Sequence, residues 1–420
     1  MASSNLLDTF SIASRNDPVY QGQLSNYQSI SQDIPEARSF LLPQLGLAAE
    51  VQRAQRDKSG SGRTHYSRSN YGLTLSQTIF DYSQFKQLAE AKLTVKAATF
   101  TLASQQQDLM VRTAEGYFGV LRAKALLNYT KQQVQSSLKQ FNATRKRYKH
   151  GEATITDLNQ AEGAYDLLLV DLSAVKINLN NQEQDLRKIT AVKLSSLKKL
   201  KSHLPLINPN PNNINTWVTR ASMQNLALLA ARYTVQAVRQ AIQVKRGDYI
   251  PTLDAVGSYS NEQKNFNHRD KAGNNNEYNK KASVGLDLDW SVYQGGLTNA
   301  QVDAAIADYQ TSIENMREAY LEAQTEARKA FVGIIQGRLE VMNARAAVKT
   351  NTSALRNAEK GYIAGEQTVT DVLQVQNQLF TSQKQYVKDT YDYLINILLL
   401  KQAAGILSVK SLAIQNSWLQ

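Results

Sequence analysis

The residues able to do chemistry in this chain are few and scattered. His65, His150, His203 and His268 stand in polar stretches or at a helix end, none with a second ligand at metal-binding spacing, so each reads as an isolated surface imidazole. The absence of cysteine removes thiolate nucleophiles, cysteine-bound zinc and iron–sulfur clusters together. HExxH, GxSxG, GxGxxG and a phosphate loop ending in Gly-Lys do not occur. No enzyme, cofactor or metal site follows from these residues. What does recur is one constellation, Tyr-x-x-Gly-x-x-Thr-x-x-Asp, at Tyr148/Gly151/Thr154/Asp157 and at Tyr362/Gly365/Thr368/Asp371. Taken alone, the Thr and Asp of each copy read as a cap on the following helix, complementing its dipole. The Tyr reads as a packing residue beneath the glycine turn.

The elements that carry this motif come in duplicate. YKHGEATITD (148–157) matches YIAGEQTVTD (362–371) at an offset of 362 − 148 = 214, with six of ten positions identical. Leu42-Pro43-Gln44-Leu45 answers Ile250-Pro251-Thr252-Leu253 at offset 208, and Ile79-Phe80 answers Val292-Tyr293 at offset 213. The offset changes between the two strand-like segments of each half, so the second half has a longer loop there. One unit of about half the chain, written twice, is the economical reading. It gives a first repeat over 1–210 and a second over 211–420, joined at the linker Asn208-Pro209-Asn210-Pro211-Asn212-Asn213.

Each half begins with period-two texture. Tyr71, Leu73, Leu75 and Ile79 alternate with Gly72, Thr74, Ser76 and Thr78. In the second half Val284, Leu286, Leu288, Trp290 and Val292 alternate with Gly285, Asp287, Asp289 and Ser291. These are strands with one apolar face. Leu45, Leu47, Ala49 and Val51, then Leu253, Ala255 and Tyr259, supply two more, each following a Pro near the strand start. The expected strands are 41–56, 70–80, 250–260 and 282–293. Asp57 to Ser69 and Asn261 to Lys280 read as exposed hairpin loops.

After each second strand the texture becomes helical. It runs with almost no Gly and no Pro over 81–149 and 297–361, each roughly 100 Å long at 1.5 Å per residue. A return helix follows, over 154–194 and 368–405, with Gly151 and Gly365 at the reversals. On the last helix Tyr386, Tyr393 and Leu400 repeat every seven residues, beside rows Val387/Leu394 and Thr390/Ile397/Ala404, the spacing of coiled-coil packing. Several rows on one helix fit a sheet or closed tube of helices; a plain four-helix bundle is the competing reading. A helix over 216–246 and another opened by Asp17-Pro18 complete the halves.

Composition limits the setting. With 48 basic and 36 acidic groups the formal charge is +12, and Lys193, Lys198, Lys199 and Lys201 cluster before the linker. No aromatic residues interleave with them, so a solvated surface is favoured over nucleic-acid binding. The segment from Met1 to Phe10 lacks the basic and apolar regions of a secretory signal, so a signal peptide is expected to be absent from this numbering. No run approaches the roughly 18 apolar residues of a membrane-spanning helix. Four half-apolar strands cannot close a membrane barrel in one chain, since closure takes about eight or more. Three copies would supply twelve; otherwise the apolar face packs on the helices.

The duplicated halves, the paired strands, the glycine-turned helical hairpins and the two tip motifs together resemble the TolC family of outer-membrane efflux and secretion ducts. So do Leu41-Leu42-Pro43-Gln44-Leu45-Gly46-Leu47, Ser76-Gln77-Thr78-Ile79-Phe80-Asp81 and Val292-Tyr293-Gln294-Gly295-Gly296. The resemblance spans nearly the whole chain. It implies a mixed α and β fold with two strands plus a long coiled helical hairpin per half, three copies sharing a twelve-strand transmembrane β-barrel continued by a twelve-helix α-barrel. It also implies a Gram-negative outer membrane location, with the helices reaching into the periplasm, and passive conduction of drugs or proteins through a tunnel gated at the helix tips. The implied partners are further copies of the chain, a periplasmic adaptor, an inner-membrane transporter of RND, ABC or MFS type, and outer-membrane lipid or lipopolysaccharide facing the basic hairpin loops (Arg53, Arg56, Lys58, Arg63, Arg68, Lys264, Arg269, Lys271, Lys280, Lys281). A soluble or periplasmic coiled-coil scaffold or adaptor is the alternative.

Residue by residue, the resemblance implies that Tyr362 and Asp157, with Thr156 beside it, are among the links holding the second hairpin inward at the closed mouth. Asp371 then lines the constriction, where three copies of one carboxylate favour cations and can hold a polyvalent one. The next inward position, often acidic in the family, is Gln374; the position that commonly carries a basic link is Gln367. Fewer ionic contacts and a weaker cation preference are expected. Gly151, Glu152, Gly365 and Glu366 are the implied adaptor contacts at the tips.

Overall fold

The structure, a computed structural model, describes residues 4–58, 62–194, 196–201, 204–266 and 276–420. His203, His268, Arg269 and Lys271 lie outside the described residues, as do the side chains of Arg56, Lys58 and Arg63. The chain divides into two compact units, and the division cuts α2, α4, α7 and α8 as defined below. One unit is Met1–Asn26, Phe100–Leu229 and Glu318–Gln420; the other is Tyr27–Thr99 and Ala230–Arg317. Each unit gathers parts of both sequence repeats.

The second unit is built on a four-stranded antiparallel sheet, β1 (Gln44–Lys58), β2 (Gly62–Phe80), β3 (Thr252–Phe266) and β4 (Asn276–Asp289), in the order β1-β2-β3-β4. Cross-strand partners share a face. The row Leu47, Leu73, Tyr259 and Ala282 and the row Leu45, Leu75, Gly257 and Val284 therefore define the apolar side. Leu45, Leu47, Leu73, Leu75, Tyr259 and Val284 of these rows stand exposed in the single chain, Val284 at 92%. The strands reach well into the stretches expected to be loops: β1 pairs with β2 as far as Lys58↔Gly62, and β3 with β4 as far as Asn265↔Asn276. Ladder hydrogen bonds continue there although apolar alternation has stopped. At its other end β4 stops at Asp289, short of the expected 293, because its partner begins at Thr252 and the preceding Pro251 has no N–H to extend the ladder. Trp290 leaves the sheet and donates its indole N–H to the Tyr249 carbonyl at 3.2 Å.

The long helices are α4 (Tyr82–Lys149) and α8 (Leu297–Ala364), 68 residues each, returned by α5 (Ile155–Thr190) and α9 (Val369–Ala403). Within the second unit α4, α7 (Leu226–Gly247) and α8 bury small or slender side chains, Ala91, Ala97, Ala237, Ile242, Val302 and Ala305. The first unit holds the main core. Tyr117 and Phe118 of α4, Ile334 of α8 and Tyr393, Leu394 and Leu398 of α9 close on Leu6 and Phe10 of α1 (Leu6–Asn16) and on Leu412 of α10 (Val409–Asn416). The heptad rows of α9 are buried almost throughout, including Val387, Thr390, Tyr393, Leu394, Ile397 and Leu400, so that helix has neighbours on more than one side. The stretch before the linker is not simply solvated: Leu197 bridges Ser4, Leu200 bridges Leu419, and Lys201 Nζ donates to the Ser417 carbonyl at 2.7 Å.

Caps explain the shorter elements. Asp17 opens α2 (Pro18–Ser31), accepting from the Tyr20 N–H at 2.9 Å, and its buried carboxylate also takes Arg112 of α4 at 2.9 Å. A short α3 (Asp33–Ser39) leads to the sheet. The single helix expected over 216–246 is two, α6 (Ile214–Gln224) and α7, because the Asn225 side chain accepts from the Leu228 N–H at 3.0 Å and donates to the Ala403 carbonyl at 3.0 Å. An Asn that competes for backbone groups starts a new helix instead of continuing the old one. The return helix α5 ends at Thr190, four residues before the expected 194, with Ala191 in the left-handed region at φ 56°.

Gly405 closes α9 with φ +68°, and a Cβ there would run into the Gln224 carbonyl. Gly405→Ala is expected to cost about 3 kcal/mol, combining left-handed strain with overpacking. Gly295→Ala, equally left-handed at φ +63° but with open space around it, should cost about 1 kcal/mol. Thermal unfolding of the two variants checks the difference, and equal shifts would contradict it.

Candidate functional site

The two hairpin tips are built alike by local rules. At the first, Glu152 N–H bonds the Arg147 carbonyl at 2.8 Å around Gly151 (φ +76°); at the second, Glu366 N–H bonds the Gly361 carbonyl at 2.8 Å around Gly365 (φ +81°). These left-handed turns satisfy carbonyls that the ending helix leaves free. Both return helices then start with a capping box. Thr154 and Asp157 exchange hydrogen bonds (Asp157 N to Thr154 Oγ1 3.1 Å, Thr154 N to Asp157 Oδ2 2.9 Å), as do Thr368 and Asp371 (3.2 and 2.9 Å). The backbone N–H of each threonine, and then its hydroxyl, hold the partner carboxylate below its ordinary pKa. Both carboxylates are thus anionic at neutral pH.

Beyond the caps the tips differ. Tyr362 is 6% exposed, whereas its counterpart Tyr148 is 40% exposed. The Tyr362 hydroxyl shares a hydrogen bond with Thr144 Oγ1 at 3.0 Å, its carbonyl accepts from Arg147 Nη1 at 2.7 Å, and the Arg147 guanidinium lies 4.7 Å from its ring centroid. Tyr362 and Asp157, both expected among the mouth links, do not meet in the chain: Asp157 is engaged by its own Thr154. A different bond joins the return helices, from Thr370 Oγ1 to Gln160 Oε1 at 2.8 Å. Asp371, Glu152, Gly365, Glu366, Gln367 and Thr156 are all exposed at the tips. Gln374 is exposed on a groove with Asn351, Thr370, Leu373, Asn377 and Gln378.

Thr144, Arg147, Gln160 and Thr370 were not singled out in the sequence. The signal that could have found the first two is a break in the repeat. At the offset of 214, Thr144 and Arg147 correspond to Ala358 and Gly361. Polar groups in one half thus answer small residues in the other.

The sheet has the opposite polarity on its two faces. Opposite the apolar side, Asp287 is the direct partner of Asp254, and Asp289 that of Thr252. Like charges placed directly across a ladder repel and are tolerated where water screens them. Farther along this same face Glu262 binds Arg68 and, at 3.2 Å, Lys264. Arg68 and Lys264 are therefore spent on an internal ion-pair network and are not free loop charges for a lipid surface. Arg53 and Lys280 do share the apolar side's register, Lys280 in the row of Ala49 and Tyr71 and Arg53 two rows farther along. No described helix is long and apolar enough to cross a membrane.

A family model described as outer membrane efflux protein matches residues 13–192 and 217–406, one match in each half. The chain belongs to the outer membrane efflux protein family. It is 31% identical to the outer membrane protein TolC of Salmonella enteritidis over 99% of this chain and 84% of that protein. It is 24% identical to the alkaline protease secretion protein AprF of Pseudomonas aeruginosa, over 96% and 84% respectively. The crystal structure of the Campylobacter jejuni CmeC outer membrane channel superposes with a TM-score of 0.81 at 17% identity, covering 99% of this chain and 90% of that one.

As a member of the efflux protein family this chain is an outer-membrane exit duct of efflux and secretion systems, placed in the outer membrane of a Gram-negative cell. It works as one subunit of a trimeric channel with pump or secretion partners. The family is one of transport ducts, and the soluble scaffold alternative is not favoured.

Proposed function

We propose that three copies of this chain close one twelve-strand barrel and one tube of twelve helical segments, conducting drugs or proteins passively, with the mouth at the periplasmic tips. The observation that carries this reading is the sheet: one uncovered apolar face, one wet acidic face, and two unpaired edges at β1 and β4. An open edge is not tolerated in lipid, and pairing β4 of one copy with β1 of the next removes it.

The energy for transport comes from an inner-membrane transporter of RND, ABC or MFS type through a periplasmic adaptor that meets the tips at Gly151, Glu152, Gly365 and Glu366. Asp371 forms the acidic ring of the constriction, with Gln374 as the uncharged position beside it; Tyr362, Asp157, Thr156 and Gln367 belong to the moving tip region. The halves 1–210 and 211–420 are duplicated structural repeats. Arg53 and Lys280 meet lipid or lipopolysaccharide phosphates. Protein purified in detergent should be trimeric and form pores in planar bilayers, and adaptor should raise the conductance. A monomer soluble without detergent that forms no pore would reject the reading.

A further inference from the structure

Within the first unit, α4, α5, α9 and the start of α2 enclose an open cavity of 720 Å³. It lies on the side of α4 turned away from the main core. Tyr117 points into that core, its hydroxyl 2.9 Å from the Lys198 carbonyl. Glu115 and Gly119 stand two residues to either side of Tyr117, about 200° around the helix, and both line the cavity. The elements α1 and α10 thus close one side of α4 and leave the other free. In the duct proposed above, the free side is the one that can face the bore.

The inner wall of the cavity is apolar. Gly116, Ile189 and Ile395 line it together with Phe118 and Tyr391, two buried rings with centroids 5.8 Å apart. The rim is charged, and its charges are unequally used. Arg112 is spent on Asp17 and Asp108, at 2.9 and 2.7 Å, and Arg122 lies 3.6 Å from Asp392. Glu115 and Asp185 are exposed and make no ion pair among the described residues, and the same holds for Lys188. Two uncommitted carboxylates therefore face one uncommitted ammonium. Gly119 helps to shape this rim: a Cβ there would run into the Gln182 side chain, which lies over the glycine and donates to Asp185 at 3.4 Å.

The cavity is not a by-product of duplication. At the offset of 214, Glu115, Phe118 and Asp185 correspond to Lys329, Val332 and Leu399, and Tyr391 corresponds to Ile177. The second half carries neither the rings nor the carboxylates at the matching places.

We propose that this cavity is a contact site for cargo on the bore of the duct, and that the cargo it takes is a planar aromatic cation. The proposal rests on the reading of the chain as a duct, which is what turns the cavity towards passing molecules. An apolar wall with excess carboxylate at its rim suits a ring system that carries positive charge, because the rings leave water while the charge meets Glu115 and Asp185. The volume is that of a small-molecule site. Its open mouth suits transit, since a conducting path needs sites that release what they hold.

The test is titration of ethidium, a planar aromatic cation, into the detergent-purified trimer, followed by fluorescence, with the anionic dye fluorescein as counterpart. Ethidium should bind saturably and fluorescein should not. Glu115→Gln combined with Asp185→Asn keeps the shape of the rim and removes both charges, and should weaken ethidium binding on the order of ten-fold. Val19→Trp fills the mouth from an exposed lining position without changing charge, and should weaken it as well. Asp371→Ala, far along the chain at the hairpin tip, should leave this binding unchanged. Trimer content is measured for each variant. Ethidium binding that is absent in the wild type, matched by fluorescein, unaffected by the paired substitution or lost in Asp371→Ala overturns the site. If the paired variant does not assemble, unchanged binding in Val19→Trp overturns it instead. Wild-type trimer that binds ethidium through Glu115 and Asp185 but forms no pore in planar bilayers upholds the binding site and rejects the duct reading, whereas pores from protein that binds no ethidium reject the site alone.

Discussion

Leu286→Arg is expected to abolish insertion of the trimer into the outer membrane, while substitution of the very next residue, Asp287→Asn, should leave it intact. Leu286 lies on the apolar side of β4, 68% exposed in the single chain, and Asp287 on the opposite side. A cationic side chain on the lipid side of a barrel costs about 2–4 kcal/mol near the bilayer midplane. Symmetry places three such groups in each duct, up to about 6–12 kcal/mol in all depending on depth, which at its upper end is comparable with the whole stability of an ordinary domain. Asp287→Asn instead relieves the repulsion with Asp254 on a face that stays wet. Heat-resistant trimer in outer-membrane fractions reports both. Normal trimer from Leu286→Arg, or its loss from Asp287→Asn, would mean that the faces are assigned the wrong way round.

Asp371→Ala is expected to weaken both the cation preference of the pore and its block by polyvalent cations, whereas Asp157→Ala should not. The repeat makes this a controlled comparison. Both aspartates accept from their threonines with nearly the same geometry, so each alanine removes the same half of a capping box. A difference in selectivity then isolates the ring from the cap. The pH dependence follows from the depressed pKa of Asp371, caused first by the Thr368 backbone N–H and then by its hydroxyl. In the single chain these hydrogen bonds favour the ionised carboxylate, so cation preference should be present at neutral pH and fade on the acid side as the carboxylate is protonated. The helix-start stabilisation from the same hydrogen bonds has the same sign, present at higher pH and lost on the acid side. Reversal potentials in asymmetric salt measure the selectivity. Equal behaviour of the two variants would remove Asp371 from the constriction.

Much of the architecture is legible because it is encoded by near neighbours in the chain. Period-two runs such as Val284-Leu286-Leu288, the long stretches without Pro, and Gly-x-x-Thr-x-x-Asp at each reversal each report on contacts within a few residues. The structure follows them closely, down to both capping boxes. The misplaced boundaries have physical causes of another kind. β1 and β2 continue past Val51 and Tyr71 because inter-strand hydrogen bonds do not need an apolar face. The stop of β4 at Asp289 depends on Pro251 in a different strand. The break at Asn225 is held partly by the Ala403 carbonyl, 178 positions away.

The candidate site divides in the same way. Asp157 and Asp371 as caps are readable from Thr three residues earlier. Arg68 and Lys264 look like free loop charges until the β2–β3 register brings Glu262 between them. Tyr362 looks equivalent to Tyr148 until Thr144 and Arg147 reach it from 218 and 215 positions away. Sequence alone determines the duplication, the element types, the turns and caps, and the polarity of each strand face, because these follow from covalent neighbours and from the 2.0 and 3.6 residue periods. Tertiary structure alone decides which charges are spent on one another and which of two like tyrosines is gripped. Those choices depend on groups brought together from opposite halves of the chain, and a local pattern holds no record of their meeting.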